Sequence, residues 1–438
     1  MPAAPSRIAA FKILLRVERE SSYAVELLHS DMLEGLEPAD RNLTTEIVMG
    51  VLRWRSVLDQ YIAHFSYSPL PKLDLEVLTA LRMGAYQIKF LRVAPHAAVN
   101  ETVELVKQAR KLSAAGLVNA VMRKLLALQN SGKQLALPRA SEVFAHPEWM
   151  TDRWRKQFGD EIVSQICKHD QQPPETSLRV TGSDEDEEMR QAGIEVSSGT
   201  LMRSARRLVK GDASQLAAFR EGRIAIQDEG SQLVAALVGG GQKILDCCAA
   251  PGGKTGALAS RLPQAEIVAA ELHPHRARLL RERAPQGNVQ VMTADALQLP
   301  FSDVFDRVLA DVPCSGTGTL ARNPEIKWKL RPEDLIDLQQ RQWQILQAAM
   351  KHVAPGGRVI YSTCSLEPEE NEEVVSKVLA SVDSFNVVPI RGELDRLAAS
   401  GELVWPEPEG LMQSVFLRTV PGAQPCDGFF AAVLERTK

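Results

Sequence analysis

The stretch at residues 243–255, KILDCCAAPGGKT, constrains the fold of this chain more than any other segment. A short apolar run ends at Asp246, a turn with Gly252 and Gly253 follows, and a helical pattern begins after Lys254. A strand, a tight glycine turn and a helix in this order are typical of an α/β sheet that presents backbone N–H groups to a ligand. The sequence therefore predicts an α/β sheet with a small-molecule site at this turn.

Two nucleotide-binding patterns do not fit the turn. A P-loop needs a glycine at the position of Cys248, and alanines with a proline replace the three glycines of the dinucleotide pattern. Glu271 ends the next apolar run about twenty residues on, where a carboxylate can bind ribose hydroxyls. What remains resembles motif I of S-adenosylmethionine-dependent methyltransferases, in the AAPGGKT form of RNA cytosine methyltransferases.

Apolar runs alternate with helical patterns from Gly230 onward, which predicts a mostly parallel, doubly wound sheet. The predicted strands are 243–247, 266–271, 288–293, 305–310 and 357–361, and a strand pair at 414–420 and 428–435 closes an edge. Ligands bind at the carboxyl ends of parallel strands. The side chains predicted at these ends are Asp246, Glu271, Asp295, Asp311 and Cys364.

The rest of the chain predicts two further domains, so the architecture is multidomain. Residues 1–135 carry apolar stripes at helical spacing and predict an all-helical bundle. Residues 146–227 predict a small α/β platform of the ferredoxin-like type, and residues 228–438 the Rossmann-like α/β domain. Residues 130–147 between the first two domains predict a linker.

Charge separates the predicted domains. Residues 1–135 carry 17 Lys and Arg against 13 Asp and Glu, whereas the whole chain has a net charge of −4. A basic N-terminal domain suggests a nucleic-acid partner, although chance variation over surfaces explains the charge equally well. The candidate RNA-facing side chains are Arg53, Arg55, Arg110, Lys111, Arg123 and Lys124, the basic cluster Arg203, Arg206, Arg207 and Lys210, and the segment 322–331, RNPEIKWKLR, where Trp328 lies among basic residues.

Composition excludes several classes of protein. No apolar run is long enough to span a bilayer, and the N-terminus does not offer the core of a signal peptide. The six cysteines include no Cys-x-x-Cys pair, so neither a zinc site nor a disulfide framework is indicated. We therefore expect a cytoplasmic protein with no metal and no membrane partner.

Two cysteine motifs follow predicted strands. Cys314 follows a proline after the strand that ends before Asp311, and Cys364 follows a threonine after the strand 357–361. This pair resembles the RNA 5-methylcytosine methyltransferases, and the segments 227–231, 368–372 and 427–430 extend the similarity. The N-terminal bundle resembles the NusB-like RNA-binding domain of one branch, the Sun/Fmu family of bacterial 16S ribosomal RNA (cytosine-C5) methyltransferases.

The resemblance implies a role for each catalytic residue. Cys364 would add to carbon 6 of cytosine, because carbon 5 is a poor nucleophile until a thiolate adds next to it. Asp311 would bind N3 and the exocyclic amine of the base. Cys314 would help the product leave.

The resemblance also implies S-adenosylmethionine as the cofactor. The backbone of Cys248, Ala249, Ala250, Pro251, Gly252, Gly253 and Lys254 would hold its methionine part. Glu271 would hold the ribose and Asp295 the adenine edge, and Asp311 borders the same site. The implied partner is 16S ribosomal RNA or a small-subunit assembly intermediate, bound by a monomer.

Two other functions stay open from the sequence. DNA cytosine methylation would use the cysteine after proline as nucleophile, but the acid of its Glu-Asn-Val motif is missing because Phe385 precedes Asn386 and Val387. Cys364 would then have no role. The other alternative is a ribosome-assembly or antitermination protein with a vestigial cofactor site, against which the presence of Asp311, Cys314 and Cys364 speaks.

Overall fold

A computed structural model describes residues 3–20, 22–133, 145–302 and 304–437. The chain divides into two compact units. Unit 1 comprises Met1–Pro173 together with Leu320–Lys329, and unit 2 comprises Pro174–Thr319 together with Leu330–Lys438. Among the described residues, no helix has the length and apolar character needed to cross a membrane.

Unit 1 is helical, as the apolar stripes predict. Its helices are α1 (Pro5–Glu20), α2 (Ala24–Leu28), α3 (Pro38–Phe65), α4 (Leu75–Phe90), α5 (Pro95–Gln108), α6 (Ala115–Asn130) and α7 (Glu148–Asp170). Ile47, Val51 and Leu58 on one face of α3 are buried in the core. Pro38 is the first residue of α3, and Asp40 lies in its first turn and does not cap it. Part of the predicted linker, residues 134–144, lies outside the described residues.

The segment Leu320–Lys329 is part of unit 1 although it follows the predicted strand 305–310. It ends in the short helix α13 (Ile326–Lys329). The Lys327 ammonium group is buried and donates to the carbonyl oxygens of Arg53 (2.9 Å) and Ala145 (3.0 Å). The Trp328 Nε1 donates to the Leu52 carbonyl oxygen at 2.6 Å. The prediction that Lys327 and Trp328 face RNA is therefore wrong.

Several predicted RNA-facing side chains have protein partners instead. Arg53 is buried and donates to the Ala321 carbonyl oxygen, and Arg55 pairs with Glu18. Lys111 pairs with Asp74, whereas Arg110, Arg123 and Lys124 are exposed. In the second basic cluster, Arg206 pairs with Asp186, Arg207 with Glu175, and Lys210 with Glu195, while Arg203 is exposed.

Unit 2 begins with a four-stranded antiparallel sheet. Its elements run β1 (Ser177–Val180), α8 (Asp184–Gln191), β2 (Glu195–Ser198), β3 (Ala205–Lys210), α9 (Ala217–Arg220) and β4 (Ile224–Ile226). The strand order β2-β3-β1-β4 is that of a ferredoxin-like fold. The ferredoxin-like fold of the predicted platform is confirmed, whereas the first residues of its predicted range, up to Pro173, belong to unit 1.

The main sheet of unit 2 has nine strands. Its elements run α10 (Glu229–Leu237), β5 (Lys243–Asp246), α11 (Gly253–Arg261), β6 (Glu266–Glu271), α12 (Pro274–Arg283), β7 (Val289–Thr293), β8 (Phe305–Asp311), α14 (Asp334–Lys351), β9 (Val353–Thr363), α15 (Glu372–Leu379), β10 (Phe385–Val388), α16 (Ile390–Ala399), β11 (Met412–Gln413), β12 (Phe416–Arg418) and β13 (Phe430–Arg436). The order is β11-β12-β13-β9-β8-β5-β6-β7, and β10 pairs with β13.

Strands β5 to β9 are mutually parallel, as predicted. Strands β12 and β13 form the predicted strand pair, and the structure shows that this pair is antiparallel. Strand β13 lies against β9, so the pair extends the sheet beyond the parallel part. The sequence analysis missed β10, a four-residue strand that also pairs with β13. The parallel strands bring the residues that follow β5, β6, β8 and β9 to one edge of the sheet.

Candidate active site

Residues 247–254, the cofactor loop, join β5 to α11. Gly252 precedes α11 with a φ of 108°, and a Cβ there would lie 3.0 Å from Leu280 Cδ1. The left-handed backbone strains any side chain at this position, and a Cβ would also require a small shift of the Leu280 side chain. The backbone N–H of Ala249 donates to the Ala270 carbonyl oxygen at 2.9 Å, which ties the cofactor loop to β6. The cofactor loop is thus a glycine cradle at a helix N-terminus, as the sequence predicts.

Asp246 lies beneath the cofactor loop and is buried. Its Oδ2 accepts from the Thr255 hydroxyl at 2.7 Å, and its Oδ1 has no hydrogen-bond partner among the described residues. Burial raises the pKa of Asp246 to about 7. A buried carboxylate oxygen without a donor, next to a glycine cradle, fits a cofactor that carries an amino group.

Glu271 and Asp295 lie at the ends of neighbouring strands. Glu271 ends β6 and is buried, and its Oε1 accepts from the His273 N–H at 2.9 Å. The Ala294 N–H donates to the Glu271 carbonyl oxygen at 3.0 Å, so the residue before Asp295 is held against β6. Asp295 is exposed and accepts from the Leu297 N–H. Both carboxylates lie at the edge of the sheet where ribose and adenine groups are expected.

Lys254 and Asp311 form an ion pair with an Nζ–Oδ2 distance of 2.7 Å. The Ser362 hydroxyl donates to the other oxygen of Asp311, also at 2.7 Å. Burial disfavours the Lys254 ammonium group, but the Asp311 carboxylate outweighs it and raises the pKa of Lys254. Lys254 therefore belongs to the cofactor loop and also pairs with Asp311, the last residue of β8.

The two cysteines lie side by side. The Sγ atoms of Cys314 and Cys364 are 3.3 Å apart, and the Cys364 N–H donates to the Cys314 sulfur. A hydrogen bond to Cys364 and burial raise the pKa of the Cys314 thiol well above its usual value. Cys314 is thus held as a neutral thiol, directly beside a second sulfur.

Close backbone packing holds the residues after Cys314. The Gly318 N–H donates to the Cys364 carbonyl oxygen at 2.9 Å, and the Gly428 N–H donates to the Gly318 carbonyl oxygen at 2.8 Å. A Cβ on Gly318 would lie 2.2 Å from the Gly428 carbonyl oxygen. The segment 427–430, noted only for its resemblance, therefore contributes a glycine that packs against the residues after Cys314.

The sequence analysis missed the polar side chains that hold the two cysteine segments. They are Gln342 in α14, Ser362 at the end of β9, and Glu370 and Asn371. The resemblance at 368–372 marked Glu370 and Asn371 without a role, and nothing in the pattern of α14 marks Gln342. Within the part of the chain that the structure describes, no group of three His, Cys, Asp or Glu side chains is arranged to hold a metal ion.

A parallel sheet with a glycine cradle after one strand and carboxylates at the ends of its neighbours is a Rossmann-like cofactor-binding arrangement, and the family model that this part of the chain matches identifies it as a methyltransferase. Such enzymes take the methyl group from S-adenosylmethionine, which the cradle and Asp246 fit. Residues 237–435 match the family model for the 16S rRNA methyltransferase RsmB/F, residues 4–127 the NusB family, and residues 146–213 the ferredoxin-like domain of RsmF/B-like methyltransferases. The chain belongs to the RsmB/F methyltransferase family.

Individual relatives agree with this assignment. The chain is 32% identical over 404 residues to the probable ribosomal RNA small subunit methyltransferase B of Bacillus subtilis (strain 168), covering 86% of this chain and 89% of the relative. It is 31% identical over 414 residues to the ribosomal RNA small subunit methyltransferase B of Vibrio cholerae, covering 92% and 91%.

Two solved structures share the fold. The crystal structure of PH0851 superposes with a TM-score of 0.81 over all of both chains at 22% identity. NSun6 from Pyrococcus horikoshii superposes with a TM-score of 0.56 at 19% identity, covering 68% of this chain and all of that one. The fold predicted from the sequence, a helical NusB-like domain, a ferredoxin-like domain and a Rossmann-like methyltransferase domain, is confirmed.

Proposed function

We propose that this enzyme methylates carbon 5 of a cytosine in 16S ribosomal RNA through a covalent adduct between Cys364 and carbon 6. The observation that carries the proposal is the placement of two cysteine sulfurs 3.3 Å apart after the neighbouring strands β8 and β9, beside Asp311, which ends β8 and pairs with Lys254. The relatives named as small-subunit methyltransferases support the RNA substrate.

In this mechanism the Cys364 thiolate adds to carbon 6, and the electron pair of the C5–C6 double bond makes carbon 5 nucleophilic. Asp311 accepts from the exocyclic amine of the base, and the charge of Lys254 stabilises the negative charge that addition creates. S-adenosylmethionine, when bound, supplies an electrophilic methyl group. Carbon 5 of the adduct would form a bond to this methyl group as the sulfonium C–S bond breaks. The C5 proton would then pass to a solvent base, and its electron pair would re-form the C5–C6 double bond and expel the Cys364 sulfur as a thiolate, a step that Cys314 assists.

The cofactor assignments complete the proposal. The backbone of residues 248–254 holds the methionine part, Glu271 the ribose hydroxyls and Asp295 the adenine edge, with Asp311 at the border between cofactor and base. The proposal also includes domain boundaries near residues 135, 146 and 228, a monomeric state and a cytoplasmic location. RNA is bound either free or within a small-subunit assembly intermediate.

The decisive experiment compares the two cysteines. We expect Cys364→Ala to be inactive and to bind RNA only reversibly, because no adduct can form. We expect Cys314→Ala to accumulate a protein–RNA species that survives denaturing gel electrophoresis when S-adenosylmethionine is present, because elimination stalls. The double variant should lose that species.

Two outcomes would contradict this assignment. If Cys364→Ala traps RNA and Cys314→Ala is merely inactive, the roles are exchanged, as in the DNA cytosine methyltransferases. If neither variant traps RNA and both keep their activity, the covalent mechanism is wrong. Bisulfite mapping of ribosomal RNA with and without the enzyme tests the position of the methyl group independently.

A further inference from the structure

The two residues that flank Cys314 are each held by a buried side chain. The Gln342 Nε2 donates to the Pro313 carbonyl oxygen at 3.0 Å, and the Ser315 N–H donates to Glu370 Oε1 at 2.8 Å. Gln342 and Glu370 are both fully buried. The backbone on either side of Cys314 is therefore fixed by polar contacts that do not involve its sulfur.

The residues that flank Cys364 are held in the same way. The Thr363 hydroxyl donates to Asn371 Oδ1 at 2.5 Å, and the Asn371 Nδ2 donates to the Ser365 carbonyl oxygen at 2.9 Å. The Ser365 hydroxyl also donates to Glu370 Oε2. Asn371 therefore acts on the Cys364 side alone.

Glu370 is the acceptor that both cysteine segments share. Its Oε1 accepts from the Ser315 N–H and from Gln342 Nε2, both at 2.8 Å, and its Oε2 accepts from the hydroxyls of Ser315 and Ser365. A carboxylate offers about four acceptor positions, and all are used here. Hydrogen bonds to a buried carboxylate are short and strong, so Glu370 joins the two segments rigidly.

We propose that Glu370 is a positioning residue that sets the separation of the Cys314 and Cys364 sulfurs, with Gln342 acting on Cys314 and Asn371 acting on Cys364. The inference rests on the proposed covalent mechanism for its catalytic consequence. It predicts that the two outer residues affect different steps. Gln342 supports the elimination step and Asn371 the addition step, whereas Glu370 supports both.

The test measures two rates in the full-length enzyme with RNA and S-adenosylmethionine. For Gln342→Met we expect adduct formation at the wild-type rate and an adduct that decays about tenfold more slowly, because the two hydrogen bonds from Gln342 Nε2 to Pro313 and Glu370 are lost. For Asn371→Asp we expect adduct formation to slow about tenfold with no accumulation. Glu370→Gln should slow both steps. The matched control is Glu373→Gln, an exposed acceptor for Gln339 Nε2, and both its rates should equal those of the wild type.

Two milder variants test the same contacts with less risk that the protein fails to fold. Ser315→Ala and Ser365→Ala each remove one hydroxyl donor and leave the carboxylate in place. Ser315→Ala should behave like Gln342→Met, and Ser365→Ala like Asn371→Asp. A variant with only a general structural defect would lower both rates together, so the division between steps in the Gln342, Asn371, Ser315 and Ser365 variants distinguishes positioning from stability.

The outcomes separate the inference from the proposed function. If Gln342→Met and Asn371→Asp slow the same step, or if Glu370→Gln behaves like Glu373→Gln, the positioning role is wrong even though adducts form. If neither Cys314→Ala nor Cys364→Ala forms an adduct and both keep their activity, the covalent mechanism itself fails. Hydrogen exchange then still tests the hydrogen bonds themselves. Glu370→Gln and Gln342→Met should speed exchange at the Ser315 amide. Equal exchange in the wild type and the variants would refute the proposed contacts.

Discussion

Lys254 Nζ lies 2.7 Å from Asp311 Oδ2, so the last residue of the cofactor loop is paired with the acid that ends β8. Lys254 thus connects the cofactor loop, to which it belongs, with Asp311, the acid that we assign to the base. Because Lys254 balances the charge of Asp311, the cytosine of the proposed reaction would meet a neutral pair and not an isolated carboxylate. The neutral pair favours binding of the neutral base, and the Asp311 carboxylate can still accept a hydrogen bond from it.

Replacing Glu271 with alanine should weaken cofactor binding selectively. Its buried carboxylate is assigned to the ribose hydroxyls, and the loss of a charged hydrogen bond should lower the affinity for S-adenosylmethionine by about 10- to 100-fold. Calorimetry measures the dissociation constant, and the exposed Glu282→Ala in α12 serves as the control. Tighter binding of ATP or NAD than of S-adenosylmethionine by the wild type would refute the cofactor site.

Gly318→Ala should disturb the active site through its backbone. The added Cβ would lie 2.2 Å from the Gly428 carbonyl oxygen, so the backbone itself must move. We expect a loss of stability of about 1–3 kcal/mol or more and slower adduct formation. Thermal unfolding provides the measurement. Gly240→Ala, where a Cβ meets nothing within 4 Å, should unfold like the wild type.

The stability of unit 1 should depend on pH through Lys327. Burial lowers the pKa of Lys327 to about 7, against 10.5 for an exposed lysine. Between these values the unfolded chain binds more protons than the folded one, so stability rises with pH across this window. Lys327→Met should abolish that contribution.

Denaturant unfolding at about pH 7 and about pH 9 tests this dependence. The stability difference between the wild type and Lys327→Met should grow in favour of the wild type as the pH rises. Lys124→Met, which replaces an exposed lysine in α6, should show no such trend. A pH-independent difference for Lys327→Met would show that Lys327 keeps its proton when buried.

The exposed cations of α6 should contribute to RNA affinity. Arg123 and Lys124 are adjacent in sequence, and both are exposed. The other candidates Arg53, Arg55 and Lys111 have protein partners. Replacing both with glutamine should weaken RNA binding and reduce the slope of log affinity against log salt by about 1.4–1.8, because two phosphate contacts are lost. A titration of RNA binding at several salt concentrations measures the slope. A slope equal to that of the wild type would exclude them as phosphate contacts.

Most of the sheet could be predicted because local patterns specify it. The apolar runs that became β5 to β9 and the glycine turn before α11 depend on neighbours a few residues away, and parallel strands bring their ends together whatever their distance in sequence. The short strand β10 was missed because it forms by pairing with β13, which is distant in sequence, and a four-residue segment carries too little pattern to predict that pairing.

The sequence by itself determined the class of fold, the cofactor loop and the two cysteines, since each is a short motif with its own chemistry. Only the tertiary structure decided where Lys327 and Glu370 act. The carbonyl oxygens that accept from Lys327 lie 274 and 182 residues away, and the Ser315 donor to Glu370 lies 55 residues away. From sequence alone, a charged side chain is expected at the surface. It is buried only where folding brings together enough hydrogen-bond partners to replace water.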